Sequence, residues 1–267
     1  MPEGACDCHC HVFDPAYPLA ATASAPAPVR ATLADYRHVQ AELGLTRAVL
    51  VQSSAYGFDN RCMLAALAEL GDAARGVVTL PPTVDDATLA QLHAVGVRGV
   101  RFMMLNRPLL SWDALLPMAA RIAPLGWHIN LQVDGAEFPH RMQQLSALPV
   151  PLVIDHNGKF LSPPGIDAPE FQALRSLLDT GRCWVKLSAP YETSRTGAPD
   201  YADVSLLART LAQAYPQRCL WASNWPHVGR TAPPRDADMA SLLRSWAPQA
   251  DVLRRILVDN PQLLYGF

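Results

Sequence analysis

The sequence has few charged residues and no excess of either sign. Charged side chains make up 17% of the 267 residues, and 22 basic residues nearly balance 24 acidic ones. A net charge of -2 provides no field that would hold a polyanion, so we do not expect nucleic acid as a partner. The sequence also has no apolar run of the roughly 18 residues that a membrane helix needs, and we expect no membrane association.

Other signals are also missing. The start of the chain lacks the basic segment and apolar stretch of a secretory signal, which predicts a cytoplasmic location. The six cysteines lack the spacing of a disulfide framework, so we expect six free thiols. Neither Gly-x-Gly-x-x-Gly after the first strand nor a Gly-Lys-Ser/Thr loop occurs, and no nucleotide cofactor is indicated. No interface pattern predicts the oligomeric state.

What the sequence does contain is an alternation of short β-branched runs with longer Ala/Leu-rich stretches of helical spacing. The predicted strands are 5–11, 47–52, 75–80, 97–102, 127–133, 151–156, 183–188 and 219–224. The predicted helices are roughly 32–44, 60–71, 85–96, 111–125, 137–148, 168–181, 201–215 and 236–246. Eight such units predict a single-domain (β/α)8 TIM barrel over residues 1–267, with a doubly wound sheet as the alternative. A Pro- and Ala-rich segment at 14–30 predicts an irregular excursion over the barrel.

Polar side chains close almost every predicted strand, and in a barrel the chemistry lies at the strands' C-terminal ends. These residues are Asp7, His9, His11, Gln52, Ser53, Ser54, Arg101, Asn130, Gln132, Asp155, His156, Lys186, Ser188 and Asn224. We therefore expect them to converge on one site. The histidines at 38, 93, 128 and 140 fall in helices or at a strand's beginning and are expected to be structural, whereas His227 fits either role.

The first strand mixes histidine with cysteine, which raises the alternative of a Cys/His zinc site. Strand alternation predicts that Asp7, His9 and His11 face the barrel interior and that the three cysteines face the helices as small apolar residues. The His-x-His pair fits metal ligands, donors that polarise a substrate carbonyl, or, for one histidine, a structural role. The residues alone leave these interpretations open.

Six segments in order resemble the amidohydrolase superfamily, in its lactonase-like branch. They are 7–14 (DCHCHVFD), 51–60, 99–102, 154–158, 184–188 and 221–227, and the similarity extends through 259–261. The resemblance implies a TIM barrel that hydrolyses a carboxylated lactone of the muconolactone or pyrone type in aromatic-compound catabolism. Pyrone-dicarboxylate lactonases of this branch work without a metal.

Other superfamily members hold one or two divalent ions with the His pair, a carboxylated lysine on strand four, histidines on strands five and six, and an aspartate on strand eight. Here Arg101 ends strand four and Asn130 lies in strand five, so two ligands are missing. The resemblance thus implies no binuclear site. We expect no cofactor, with a single zinc or manganese ion on His9, His11 and His156 as the alternative.

The resemblance also implies roles. His9, His11 and His156 would donate to the oxyanion while residue 224 activates a water. Arg101 and Arg107 would clamp the substrate carboxylate. The remaining substrate-binding candidates are Ser54, Tyr56, Gln132, Tyr191 and His227, together with Lys186, which fits equally well as a partner of Asp155.

Two residues depart from the family's pattern. Glu192 stands near the position of an arginine that helps hold a second carboxylate, so we expect a substrate with one carboxylate. Asn224 stands where the family has an aspartate, and an amide cannot act as a general base. Either the natural enzyme works differently or this chain is an inactivated variant, and the isosteric exchange favours the variant. Such a chain should bind a lactone but open it slowly, and Asn224→Asp should raise turnover about 10²–10⁴-fold.

Two further functions remain as alternatives. A metal-dependent nonoxidative decarboxylase of the same superfamily predicts a bound divalent ion and release of carbon dioxide. A catalytically inert ligand-binding barrel predicts an intact pocket without turnover, even after an acid is restored at residue 224.

Overall fold

A computed structural model describes residues 1–23, 30–105 and 107–267, and it contains one barrel of eight parallel strands. Neighbours along the chain are neighbours in the sheet, which confirms the predicted (β/α)8 barrel and excludes the doubly wound sheet. The strands are β1 (Cys6–Cys10), β2 (Arg47–Val51), β3 (Ala74–Val78), β4 (Val97–Met103), β5 (His128–Gln132), β6 (Leu152–Ile154), β7 (Cys183–Leu187) and β8 (Cys219–Trp221).

Helices separate the strands at the predicted places. They are α1 (Leu33–Leu43), α2 (Arg61–Leu70), α3 (Asp86–Ala94), α4 (Leu115–Ile122), α5 (Phe138–Ser146), α6 (Pro169–Asp179), α7 (Ala202–Ala214) and α8 (Asp236–Trp246). Helix α1 shows why the sequence starts and stops them there. Thr32 and Asp35 form a reciprocal capping box at its start, and Gly44 ends it in the left-handed conformation at φ 67°.

The barrel closes between β1 and the residues that follow β8. The backbone N–H of Asn224 donates to the carbonyl of His9 at 2.9 Å, and the N–H of His11 donates to the carbonyl of Trp225 at 2.9 Å. This closure brings Asn224 next to the two histidines at the C-terminal end of the barrel.

A bulge in β1 changes which side chains face the interior. Asp7 pairs with Ala48 but Cys10 pairs with Leu50, so three steps on β1 oppose two on β2. Asp7 consequently faces helix α1, where its carboxylate accepts the hydroxyl of Tyr36 at 2.9 Å. The prediction that Asp7 faces the interior is therefore wrong.

The bulge also corrects the predicted orientation of the cysteines. Cys6 and Cys8 pack inside the barrel with Val49 and Val51, whereas Cys10 packs in the helical layer. All six cysteines are buried and unpaired, as expected. The strict alternation failed because one extra residue reverses every side chain on the far side of a bulge.

The last residues close the bottom of the barrel, and no helix was predicted for them. Helix α9 (Ala250–Arg254) continues through a π-helical turn (Arg255–Asp259) into α10 (Asn260–Tyr265). Tyr265 belongs to the interior cluster with Cys6 and Cys8, and its ring lies edge-on to His128 at 5.3 Å between ring centroids. The active end of the barrel is therefore the opposite, open end.

The predicted excursion at 14–30 begins and ends at one point of the structure. Phe13 and Ala31 form an antiparallel bridge, with N–H···O distances of 2.7 and 2.9 Å in the two directions. Residues 24–29 of this segment lie outside the described part of the chain. In the described ranges no helix is both long and apolar enough to cross a bilayer.

Candidate active site

A cavity of about 360 Å³ opens at the C-terminal end of the strands. Its volume lies within the range typical of small-molecule sites. Six predicted site residues line it together: His11, Ser54, Arg101, Gln132, His156 and Asn224. Four further polar residues line it as well: Ser53, Lys159, Glu192 and Arg230. The apolar contribution comes from Met103, Leu105, Leu161 and Val228.

A buried ammonium organises the floor beneath this cavity. The Nζ of Lys186 lies 3.0 Å from Nδ1 of His9 and 3.2 Å from Oδ1 of Asp155, and it also donates to Oδ1 of Asn130. An ammonium has three N–H donors, and these three acceptors satisfy all of them. Burial would raise the pKa of Asp155, but the Lys186 ammonium outweighs it and holds that pKa well below its usual range.

The hydrogen bonds define the protonation of the histidine pair. Nδ1 of His11 lies 2.7 Å from the carbonyl of Val51, which can only accept, so this nitrogen carries the proton. Burial lowers the pKa of His11 to about 3, so the ring is neutral and its Nε2 is an acceptor. Nε2 of His9 lies 3.2 Å from it and therefore donates. Nδ1 of His9 is then left to accept from Lys186.

His156 has a different environment from the pair. Its Nδ1 lies 2.8 Å from the hydroxyl of Ser188, and burial lowers its pKa well below the usual range. When the Ser188 hydroxyl donates to Nδ1, the Nε2–H of His156 is the ring's remaining donor. The backbone holds this ring at φ 53°, a left-handed conformation that is costly for a non-glycine residue and is common at functional sites.

Arg101 is held rigidly in the cavity wall. Its Nη1 donates to the carbonyl of Gln52 at 2.7 Å, and its Nη2 donates to Oε1 of Gln132 at 2.8 Å. Nη2 also lies 3.7 Å from Oδ2 of Asp155. The guanidinium is thus a fixed positive charge at the end of β4.

A chain of hydrogen bonds leads from Asn224 away from the cavity. Nδ2 of Asn224 donates to the Tyr191 hydroxyl at 2.8 Å, which lies 2.8 Å from Nδ1 of His227. Nε2 of His227 lies 3.1 Å from Oδ1 of Asp236. Each step has a donor and an acceptor if Tyr191 donates to His227 and His227 donates to Asp236. The chain therefore fixes which way the Asn224 amide points.

The sequence did not predict a role for Lys159, and it predicted only a repulsive one for Glu192. Nδ2 of Asn224 also donates to Oε1 of Glu192 at 2.8 Å, and Oε2 of Glu192 forms an ion pair with Lys159. Burial lowers the pKa of Lys159 to about 8, and the carboxylate of Asp155 acts in the opposite direction. The position of Lys159, three residues after His156 at the end of β6, was the signal that could have found it.

Six predicted catalytic or substrate-binding residues, Arg107 among them, do not line this cavity. His9 and Lys186 lie beneath it, and Tyr191 and His227 stand behind Asn224. Tyr56 accepts the backbone N–H of Asp14 and stacks on Phe13, which is a structural environment. The influence of these residues on a ligand would therefore be indirect.

Arg107 also differs from its predicted place. It is exposed in the loop after β4, at φ 66°, and it is not among the described residues that line the cavity. Arg230, from the loop after β8, lines the cavity instead and packs on the ring of Tyr191 with its guanidinium carbon 5.2 Å from the centroid. Arg101 and Arg107 therefore do not form a pair in this structure.

Three side chains form a candidate metal site. Ligand atoms of His9, Asp155 and His156 lie within 4.8 Å of one another, and all three residues are buried. However, the Lys186 ammonium already contacts Nδ1 of His9 and Oδ1 of Asp155. A metal bound through either of those two atoms, at about 2.0–2.2 Å, would lie directly beside this cation. Coordination through them does not fit a divalent ion while Lys186 keeps this position.

A family model described as amidohydrolase matches residues 6–267. The chain belongs to this family. This match confirms the resemblance to amidohydrolases that the sequence motifs indicated, and it extends over nearly the whole chain.

Three proteins are similar to this chain over nearly its whole length. A 2-pyrone-4,6-dicarboxylate hydrolase of Comamonas testosteroni is 36% identical over 278 residues, which cover 99% of this chain and 91% of that protein. A D-galactarolactone isomerase of Agrobacterium fabrum is 35% identical over 269 residues, covering 99% and 92%. The crystal structure of an Agrobacterium tumefaciens protein superposes with a TM-score of 0.94 at 34% identity, covering 100% and 97%.

Proposed function

We propose that this chain is a lactonase-type hydrolase that opens a carboxylated lactone of the pyrone or muconolactone type, in the breakdown of aromatic compounds. One observation carries the proposal: a single cavity combines the neutral imidazole of His156 with a fixed guanidinium, Arg101. The first can donate to a carbonyl oxygen and the second can bind a carboxylate. The named lactone hydrolase among the relatives supports the reaction class.

The charges around the cavity favour an anionic substrate. Asp155 is balanced by Lys186, and Glu192 is balanced by Lys159. Lys186 and Arg101 both lie within 4 Å of the single negative charge of Asp155, which leaves one net positive charge at this wall. The expected repulsion by Glu192 is weakened because that carboxylate is paired, and Arg230 adds a second positive charge at the rim.

The chain's own groups suggest how the carbonyl would be activated. His11 is neutral and its Nε2 accepts from His9, so His11 cannot donate to an oxyanion in this state. The Nε2–H of His156 is the donor best suited to developing negative charge, while the guanidinium of Arg101 holds the carboxylate. In this proposal His9 and Lys186 hold the floor rigid and do not touch the substrate.

The proposal is tested by measuring ring opening across a panel of carboxylated pyrones and muconolactones, followed by absorbance. We expect turnover of at least one of them and none of the matching lactones without a carboxylate. His156→Gln should lower kcat by about 10²-fold or more, the usual loss when one oxyanion donor is removed. Binding without turnover on the whole panel would favour an inert barrel, and release of carbon dioxide would favour the decarboxylase.

Lactone isomerisation is a second candidate, and Asn224 favours it. With asparagine at 224, the site lacks a base at the position where the hydrolytic pattern of the family has one. An intramolecular attack by a hydroxyl of a sugar-acid lactone uses the same oxyanion donors and needs no water. The named isomerase among the relatives supports this reaction class.

The two candidates differ in the source of the attacking oxygen. In water enriched in oxygen-18, hydrolysis places one labelled oxygen in the product carboxylate, whereas isomerisation leaves the lactone unlabelled. Nuclear magnetic resonance of a hydroxylated aldaric acid lactone, with and without enzyme, would detect a change of ring size directly. Labelled product from a pyrone with no change in the sugar-acid lactone supports hydrolysis.

A further inference from the structure

We infer that Glu192 is the general base that accepts the proton from the oxygen attacking the lactone carbonyl. This inference rests on the proposed opening of a lactone. It applies whether the attacking oxygen belongs to water or to a hydroxyl of the substrate.

The position of the carboxylate is the first reason. Glu192 lines the same cavity as His11, His156 and Arg101, and its side chain is 20% exposed. Among the described residues that line the cavity, it is the one carboxylate. The buried Asp155 does not line the cavity, and Lys186 holds its pKa well below the usual range. Glu192 is therefore the acid residue placed to meet a ligand.

The hydrogen bonds of Asn224 are the second reason. Both donor contacts of its amide nitrogen are at 2.8 Å, one to Tyr191 and one to Oε1 of Glu192. The chain through Tyr191 and His227 to Asp236 fixes the amide, and the amide in turn fixes Glu192. A carboxylate held this way next to residue 224 lies within one hydrogen bond of the place where the family pattern has its base.

Lys159 completes the arrangement. Its ammonium pairs with Oε2 of Glu192, so one carboxylate oxygen is bound to Lys159 and the other to Asn224. Each oxygen has a second lone pair, so the carboxylate can accept a further hydrogen bond from a donor in the cavity. These two contacts hold the carboxylate in place at the cavity wall.

The proposed steps need no proton donor or acceptor other than Glu192. The attacking oxygen forms a bond to the carbonyl carbon while its proton moves to Glu192. The bond from that carbon to the ring oxygen then breaks, and the leaving oxygen, an alkoxide or, from a pyrone, an enolate, takes the proton back from the glutamic acid. With water the product is a hydroxy acid or, from a pyrone, an enol acid, and with a substrate hydroxyl it is the isomeric lactone.

Moving the carboxylate tests the inference. Using whichever lactone the wild-type protein turns over, we expect Glu192→Gln to lower kcat about 10²–10⁴-fold with little change in KM. The double variant Glu192→Gln with Asn224→Asp returns a carboxylate to the neighbouring position. Its kcat should be at least tenfold higher than that of the single variant Glu192→Gln. Glu192→Ala should be partly rescued by added formate, whereas His156→Gln, the control, should not.

The outcomes separate this inference from the proposed function. A wild-type protein with turnover and a Glu192→Gln variant within threefold of it would overturn the base assignment and leave the function intact. Failure of the double variant and of formate, in proteins whose thermal unfolding matches wild type, would also overturn it. A wild-type protein inactive on every lactone would instead refute the proposed function.

Discussion

The ammonium of Lys186 lies 3.2 Å from Oδ1 of Asp155, and neither side chain is exposed at all. Lys186 reaches Asp155 from β7, across the interior from His9 on β1. The pair links three strands of the barrel beneath the cavity. A buried lysine in this place does what a bound cation would do, because it neutralises Asp155 and aligns His9.

Removing the lysine should be costly. Lys186→Met leaves Asp155 buried with only Arg101 at 3.7 Å to compensate it, and we expect a loss of about 3–5 kcal/mol in the free energy of unfolding. Urea unfolding at pH 7 measures this. The double variant Lys186→Met with Asp155→Asn removes both charges and should lose less than the single variant. A single variant within 1 kcal/mol of wild type would contradict the role of the pair.

The same relationship predicts how the protein responds to chelators. Because Lys186 contacts two of the three candidate ligand residues, His9 and Asp155, we expect activity to survive dialysis against a strong chelator. Metal content is measured in parallel by elemental analysis. Activity lost on chelation and regained with zinc or manganese would show that the ammonium gives way to a metal.

Arg101 and Arg107 should now behave differently. Arg101→Met is expected to weaken binding of a carboxylated lactone by about 1.5–3 kcal/mol, the scale of a charge-assisted hydrogen bond. Arg107→Met, which changes an exposed residue of the same loop region, serves as the matched control and should change the affinity by less than 0.5 kcal/mol, about the limit for surface substitutions. Isothermal titration calorimetry measures both. Equal losses would restore the paired clamp expected from the sequence.

The barrel could be predicted because its information is local and repeated. Apolar runs and helical spacing recur eight times, and each unit needs only its neighbours. Local caps, such as Thr32 and Gly44 of α1, add further signals. The bulge between Asp7 and Cys10 could not be predicted, because it depends on pairing with β2. Helix α10 was missed because its role, closing the barrel with Tyr265, is defined by the rest of the fold.

The site could be predicted only in part. Residues that end strands, such as His156 and Arg101, converge because parallel strands end at one edge of the barrel. Three residues of the cavity lie in loops: Lys159, Glu192 and Arg230. A loop has no regular spacing from which the direction of a side chain could be predicted. Their place in the site depends on the paths of the loops that follow β6, β7 and β8.

The structure changes what Asn224→Asp should do. From the sequence alone, a restored base predicts a 10²–10⁴-fold gain in turnover. In the structure an aspartate at 224 would face Oε1 of Glu192 at the 2.8 Å that separates it from Nδ2 of Asn224. Two carboxylates at this distance cannot both ionise, and one would retain a proton.

We therefore expect the single variant Asn224→Asp to gain less than tenfold in hydrolysis at pH 7, because the proton shared with Glu192 leaves no additional base. Initial rates on one carboxylated lactone measure this, with Asn224→Ala as the control for loss of the amide contact. A gain of 10² or more from the single variant would show that residue 224 alone supplies the missing base. An asparagine whose amide donates to Glu192 and Tyr191 suits this site as a native residue.

The last prediction concerns acid stability and lies at the other end of the barrel. Burial lowers the pKa of His128 to about 3 in the folded state, and Lys186 lowers it further in the same direction. In the unfolded chain the pKa of a histidine is about 6.5. Between these values the unfolded state binds a proton that the folded state does not, so the free energy of unfolding falls as the pH falls from about 6.5 towards 3.

One such histidine lowers the free energy of unfolding by about 1.4 kcal/mol for each pH unit in this window. Other buried histidines, including His11, add to the slope in the same direction. His128→Leu removes one titrating ring and keeps a side chain of similar size against Tyr265. We expect the free energy of unfolding of this variant, measured by urea titration at pH 7, 6 and 5, to fall less steeply with decreasing pH than that of wild type. The difference in slope should correspond to the uptake of about one proton fewer on unfolding. Equal slopes for the two proteins would mean that His128 is protonated while the protein stays folded. The bottom of the barrel would then accommodate the charged ring.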